Sequence, residues 1–218
     1  MILKGVVYMK ENILRYFSLL HLTSNNGYKG ILKSQKIKKS IHNIEKNKIQ
    51  WLGDGIYFWD INDLYARKLG ISLVKGRNPF SKIIGIKVDF EIDKNKIMDL
   101  DNGYWAQEYI NFVKKMCPEQ YNMILDYKQI IREQIRVKSY ESNKLGELTG
   151  NTLNLFIDYI KETKGKNIDL VIGFFHHNTN NNRNHIFSRE KKDIAQYCIK
   201  NDELVNNCME NWKVIHNI

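Results

Sequence analysis

The sequence changes period twice along its length. From Tyr104 to Lys164 apolar residues recur at helical intervals: Tyr109, Phe112, Val113 and Met116, then Ile124, Tyr127, Ile131 and Ile135, then Leu153, Phe156, Ile157 and Ile160. On either side they bunch into short runs: FSLLHL at 17–22, GIYFW at 55–59, KIIGIKVDF at 82–90, IMDL at 97–100, IDLVIGFF at 168–175 and IAQYCI at 194–199. A spacing of three and four residues lays side chains on one helix face, whereas short, nearly continuous apolar runs suit strands covered on both sides. A chain holding both in separate blocks is expected in the α+β class, with about three helices interposed between strands.

Smaller signals fill in the rest. Residues 2–16 read as a strand or short helix leading into the run at 17–22, and Asn25-Asn26-Gly27 as a turn. Tyr28 to Ser34 has helical spacing, and Asp63 is placed to cap a helix over Asp63 to Leu69. NTNNNRN at 178–184 has no core residues and reads as a polar loop, and a short helical tail follows the last strand. A length of 218 residues suits one domain, with the stretch at about 104–165 as a mostly helical insertion.

Composition excludes some classes. No stretch reaches the ~18 consecutive apolar residues of a membrane helix, and the opening residues are too broken by charge for a secretion leader. Three cysteines without Cys-x-x-Cys spacing point to a reducing, cytoplasmic setting and away from a zinc site. The net charge is +10, from 34 Lys and Arg against 24 Asp and Glu, which makes a polyanion a natural partner. A coding composition rich in Lys, Asn and Ile would produce the same excess; only position in the fold separates the two readings. The densest basic stretch runs from Lys29 to Lys48.

Residues 51–60, WLGDGIYFWD, hold two of the chain's four tryptophans beside a Gly-x-Gly. Alone this is no phosphate loop, because no glycine-rich turn opens a helix here. His21, in HLTS at the end of an apolar run, and Gln196, in AQYCIKN, are equally weak when taken singly. In order, the three stretches resemble one family. HLTSNNGYKGILKSQKIKKS is similar to the first signature of the ADP-ribosyltransferases of the diphtheria-toxin and poly(ADP-ribose) polymerase type. LGDGIYFWDINDLYARKLG is similar to the second, and AQYCIKN to the third as found in bacterial relatives with glutamine in place of glutamate. About 60 residues carry the likeness, and the helical region has no counterpart.

The resemblance implies an ADP-ribosyltransferase-like split, mixed β-sheet core and NAD as substrate, with no metal. His21, Tyr57 and Gln196 would be the catalytic set, with Glu190 as a further carboxylate. His21 would bond the nicotinamide ribose, Thr23 or Ser24 the adjacent ribose, and Leu22 the carboxamide through its backbone, where the family usually has glycine. Gly55 would let backbone approach the ligand, and Tyr57 would lie against the nicotinamide ring. Tyr65 is a candidate second stacking aromatic, with Leu69 nearer the usual spacing. The expected acceptor is nucleic acid, RNA ahead of DNA, met by the Lys29–Lys48 segment and by residues 178–189 with Arg183 and Arg189. A toxin or phage-defence role with a neutralising antitoxin protein is implied by analogy. An NAD glycohydrolase, or an inactive nucleic-acid-binding module, are the alternatives. His176 and His177, adjacent on a strand, face opposite ways and do not suggest a metal pair; Asp99 reads as a strand-end turn residue, and Trp105, Tyr109 and Phe112 as core.

Overall fold

The computed structural model describes residues 13–41, 50–133, 139–177, 192–207 and 209–216. Seven strands form one mixed sheet: β1 (Leu14–Ser24), β2 (Ile56–Asp60), β3 (Ile83–Asp93), β4 (Ile97–Asp99), β5 (Leu170–His177), β6 (Lys192–Ile199) and β7 (Lys213–Ile215). Their order across the sheet is β4-β5-β6-β2-β1-β3-β7. The helices are α1 (Asn25–Ser34), α2 (Leu64–Arg77), α3 (Gly103–Met116), α4 (Pro118–Glu133), α5 (Ser139–Lys164) and α6 (Glu203–Asn206). The class is therefore α+β, and α3 to α5 occupy the stretch where the helical period is read.

Alternating side chains divide the core. Phe17, Leu19, Phe58, Val88 and Tyr197 form one cluster with Ile31 of α1. Leu20, Leu22, Trp59 and Ile194 face the other way, onto Ala66 of α2. Beside them Val171 and Cys198 meet the helices α3 to α5 through Trp105, Phe112, Leu153 and Phe156. The Phe156 ring lies 5.2 Å from Phe112 and 5.7 Å from Tyr109. Burying such a ring contributes roughly 1.5–3 kcal/mol, so the helical block is fastened by its aromatics.

Three local expectations change. Asn25 to Gly27 is the first turn of α1: the extended Ser24 caps it, its hydroxyl accepting from the Gly27 N–H at 3.2 Å. Helix α2 runs past Leu69 to Arg77, because Gly70 packs against Trp59 and Leu22 where a Cβ would lie 2.5–2.6 Å from their side chains. The tail after β6 is only partly helical: β7 adds to the sheet edge, Ile215 pairing with Gly85. β1 begins at Leu14; residues 1–12 and the loop expected at 178–184 lie outside the described residues.

One discontinuity positions the site. β1 keeps register with β3 along its whole length, from Leu14↔Asp93 to Ser24↔Ile83. With β2 it pairs only at Leu19↔Asp60 and Leu20↔Trp59. Continuing that register would set Leu22 opposite Tyr57 and Ser24 opposite Gly55. Instead the edge of Gly55 is taken by Ser40, through Ser40 N–H to Gly55 O at 2.8 Å and the reverse bond at 3.0 Å. The sheet opens between β1 and β2, and the segment Lys36–Ser40 stands at the opening.

Candidate active site at the strand opening

His21 sits where the two strands part. Its Nδ1 is 3.0 Å from the Tyr57 carbonyl, and a carbonyl only accepts, so Nδ1 carries the proton. The ring packs tilted on Phe58, centroids 5.5 Å apart. Burial pushes the His21 pKa below its ordinary value, outweighing the bond to Tyr57. At neutral pH the ring is uncharged, and Nε2 is left as an acceptor for a hydroxyl group.

His21, Leu22, Thr23 and Ser24 form the floor of a cavity of about 360 Å³. One wall is α1, where Gly27 leaves room for the Thr23 hydroxyl that a Cβ would strike; a Cβ at Gly30 would meet nothing. Across from it stand Ile37 and Ser40, with Ile37 tied through its N–H to Asn206 Oδ1 at 2.9 Å. The end of α2 closes the cavity with Val74, Arg77 and Asn78. Its lining includes three exposed cations, Lys36, Lys38 and Arg77, and no carboxylate among the described residues. Such a set suits an anion with polar hydroxyls, as phosphates attached to a sugar would supply.

The other residues singled out in the sequence lie elsewhere. Tyr57, Gly55, Tyr65 and Gln196 are not in this lining. Tyr57 pairs with Cys198 and Trp59 with Gln196, so Tyr57 and Gln196 share one sheet face while His21 packs on Phe58, on the opposite face. Only the Tyr57 carbonyl reaches His21. Tyr65 is exposed near the start of α2, as is Leu69's neighbour Lys68, while Leu69 itself packs onto the Leu20 cluster. Glu190 and residues 178–189 lie outside the described residues, as do Lys46 and Lys48.

The aromatic decapeptide is explained first by packing. The Tyr57 hydroxyl donates to Gly53 O at 2.6 Å and accepts from Leu52 N–H at 3.1 Å, and burial raises its pKa well above the usual value. It stays neutral and holds the loop. A Cβ at Gly53, which has φ +71°, would strike Asn154, and one at Gly55 would strike Cys198 and lie 2.7 Å from Ile199 O. The two glycines thus admit α5 and β6; the close approach expected for a ligand at Gly55 is taken by protein. Lys200 completes the clamp, its Nζ donating to Leu52 O at 2.6 Å and Asp54 O at 2.7 Å. Burial lowers the Lys200 pKa and raises that of the Cys198 thiol, which leaves Cys198 no use as a nucleophile.

Lys200→Met keeps the stem and removes the donors, leaving two carbonyls without their ammonium. Stability should fall by roughly 2 kcal/mol, since an unsatisfied buried acceptor costs about 1–3 kcal/mol. Urea denaturation at neutral pH measures it; an unchanged midpoint and slope would show the clamp to be idle.

His21 to Ser24, and Lys36 and Lys38 within the basic segment, are legible in the sequence; Arg77 and Asn78 are not. The Asn78-Pro79 step and the cations Lys75 and Arg77 in the last turn were the available helix-end signals. Among the described residues no group of three His, Cys, Asp or Glu is placed to hold a metal ion, and no helix is long and apolar enough to cross a membrane. No family model, curated protein or solved structure matches this chain.

Proposed function

We propose that the protein is an NAD-dependent mono-ADP-ribosyltransferase that moves ADP-ribose to a macromolecular acceptor and releases nicotinamide. The observation that carries this reading is the neutral His21, locked by Tyr57 O and with no bond to Nε2 among the described residues, at a sheet opening whose adjoining cavity carries cations. Such an imidazole accepts a bond from a ribose hydroxyl, and the cations suit a pyrophosphate. The backbone of Leu22, unpaired with β2, is available to a carboxamide.

A ligand seated in the opening would meet His21; to reach Tyr57 and Gln196, which lie outside this cavity on the other sheet face, it would have to pass through the gap between β1 and β2. The Tyr57 ring against a cationic pyridinium would gain roughly 0.5–2 kcal/mol. As the C1′–N bond breaks, nicotinamide leaves with the bonding pair and positive charge builds on the ribose. The acceptor's nucleophile then bonds C1′ and gives its proton to solvent. Gln196 can orient the ribose through hydrogen bonds but brings no charge; a carboxylate there would stabilise the developing cation. The reading of a split ADP-ribosyltransferase-like sheet rests on the β1–β2 opening and on the three sequence stretches.

Lys36 and Lys38, which border the cavity, support a nucleic acid as the acceptor; RNA ahead of DNA is our reading of which one. Lys39 is engaged elsewhere, 3.2 Å from Asp202. The neutral Gln196 favours a second reading, an inactive nucleic-acid-binding module on the same scaffold. A cytoplasmic toxin or defence role with an antitoxin belongs to the first reading by analogy.

Purified protein with labelled NAD, alone and with RNA, DNA or protein extract, separates these readings. We expect nicotinamide release with label in nucleic acid; release without any labelled macromolecule would favour the glycohydrolase, and no release the binding module. Gln196→Glu should retain or raise turnover. Loss of turnover in Gln196→Glu together with inactivation by Glu190→Ala would move the charge-stabilising role to Glu190.

A further inference from the structure

Between α2 and β3 the chain turns through Asn78, Pro79, Phe80 and Ser81, and the Phe80 ring stands wholly in solvent at 101% exposure. Among the described residues the next most exposed large apolar side chains, Tyr16 and Ile41, are at 60%. The turn that carries it is held firmly. Asn78 N–H bonds Val74 O at 3.0 Å, Ser81 N–H bonds Asn78 O at 3.0 Å, and Asn25 N–H reaches Lys82 O at 2.9 Å and Ser81 Oγ at 3.2 Å. An aromatic ring is thus presented to water from a fixed base.

Phe80 and Pro79 line an open depression of about 390 Å³ together with Asn25, Asn26, Asn78 and Lys82. Asn78 also lines the His21 cavity, so the two adjoin, and Arg77, next to Asn78 in the chain, lines the His21 cavity. The lining holds amides, a cation and a single aromatic face, and no carboxylate.

We infer that this depression is a docking platform for one base of a single-stranded nucleic acid. Phe80 stacks on the base, the side-chain amides of Asn25 and Asn26 and the Asn78 Oδ1, whose own Nδ2 donates to Val74 O at 3.3 Å, bond its edges, and Lys82 meets a flanking phosphate. A protein partner would need a cluster of apolar residues to desolvate an anchor, and here only Pro79 accompanies the ring. The +10 charge of the chain adds an attraction for a polyanion that weakens with salt. Docking here would deliver a strand to the edge of the His21 cavity. The transfer of ADP-ribose to that strand rests on the transferase reading; docking itself does not.

The test is fluorescence anisotropy of a labelled, mixed-sequence single-stranded RNA dodecamer without NAD. Wild-type protein should bind with an affinity that falls as salt rises. Phe80→Ala should weaken binding about tenfold or more, and Phe80→Trp should restore it to within about twofold, because every base has a stackable face. Lys82→Glu should weaken binding and flatten its salt dependence. Equal RNA affinity of wild type and Phe80→Ala, or no RNA binding by wild type, overturns the inference; so does unchanged RNA affinity in Phe80→Ala with loss of labelling in protein extract, which would assign the platform to a protein. Nicotinamide release from NAD without acceptor is measured on the same preparations. Its absence in wild type would remove the transferase reading while the anisotropy still decides the platform.

Discussion

Alanine at His21 should cut nicotinamide release from NAD at least tenfold, which is about 1.4 kcal/mol of transition-state stabilisation, and leave the fold in place. The substitution removes both ends of the imidazole's work: the Nδ1–H that ties β1 to Tyr57 O across the opening, and the Nε2 acceptor that the cavity receives. The Tyr57 carbonyl then faces an open cavity that water can enter, so the stability loss should be small. The pH profile distinguishes this role from a charged one. Burial lowers the His21 pKa beneath the ordinary 6.5, so the neutral ring should persist down through that value. Turnover should be level above pH 6.5 and fall only as pH drops through the depressed folded-state value. The sign for stability is the same. Between those two values the unfolded chain binds the proton more readily, so the contribution of His21 is complete above 6.5 and is lost as pH falls through the folded pKa. Wild-type kcat/KM in His21→Ala would take this cavity out of the reaction.

Gly150→Ala should destabilise the protein by about 3 kcal/mol, within the range for overpacking a tight core, lowering Tm by roughly 6–12 °C for a chain of this size. Propensity alone argues the reverse, since alanine in a helix is better than glycine by about 1 kcal/mol. Gly150 is buried in α5, however, and a Cβ there would collide with the Gln50 carbonyl, backbone against helix with no flexible side chain to yield. Asn154, one turn on, accepts from Asp54 N–H at 2.9 Å, so any shift of α5 also disturbs the loop that leads into β2. Calorimetry reads the effect, and a rise in Tm would show that helix propensity governs this site. Because the loop leads into β2, which carries Tyr57, nicotinamide release should decline with the same substitution.

The helices and strands were legible because they are set by nearest neighbours. Phe112 and Val113 on α3 and Leu153 and Phe156 on α5 repeat at helical spacing and meet in one cluster, and the run at 17–22 and most of the runs at 82–90 and 168–175 fall in strands whatever lies beside them. Local capping was legible in part: Asp63 caps α2 as its position implies, through its carboxylate to Tyr65 and Ala66 N–H. The neighbouring Ser24 cap was hidden behind Asn25-Asn26-Gly27, whose residue types serve a turn and a first helical turn equally. β7 escaped notice because three residues at an edge carry no period of their own.

The chemistry divides along the same line. The sequence by itself determined that His21 lies in an apolar strand run shortly before Thr23 and Ser24, and that Lys36 and Lys38 come within one helix of it, because these relations need only chain continuity. Whether Gly53 and Gly55 make room for a ligand or for protein could not be read locally: the atoms their Cβ would strike belong to Asn154 and Cys198, about a hundred residues or more away in sequence. Nor could the sequence say which way each side chain points. A strand's alternation sets relative faces only within that strand, and the register between strands sets the rest. Pairing Trp59 with Gln196, and Gly55 with Ser40 instead of Ser24, put Tyr57 on the same sheet face as Gln196, left His21 on the other face, and opened the sheet between β1 and β2. Those pairings are made by backbone hydrogen bonds common to every residue, so only the tertiary structure could decide them.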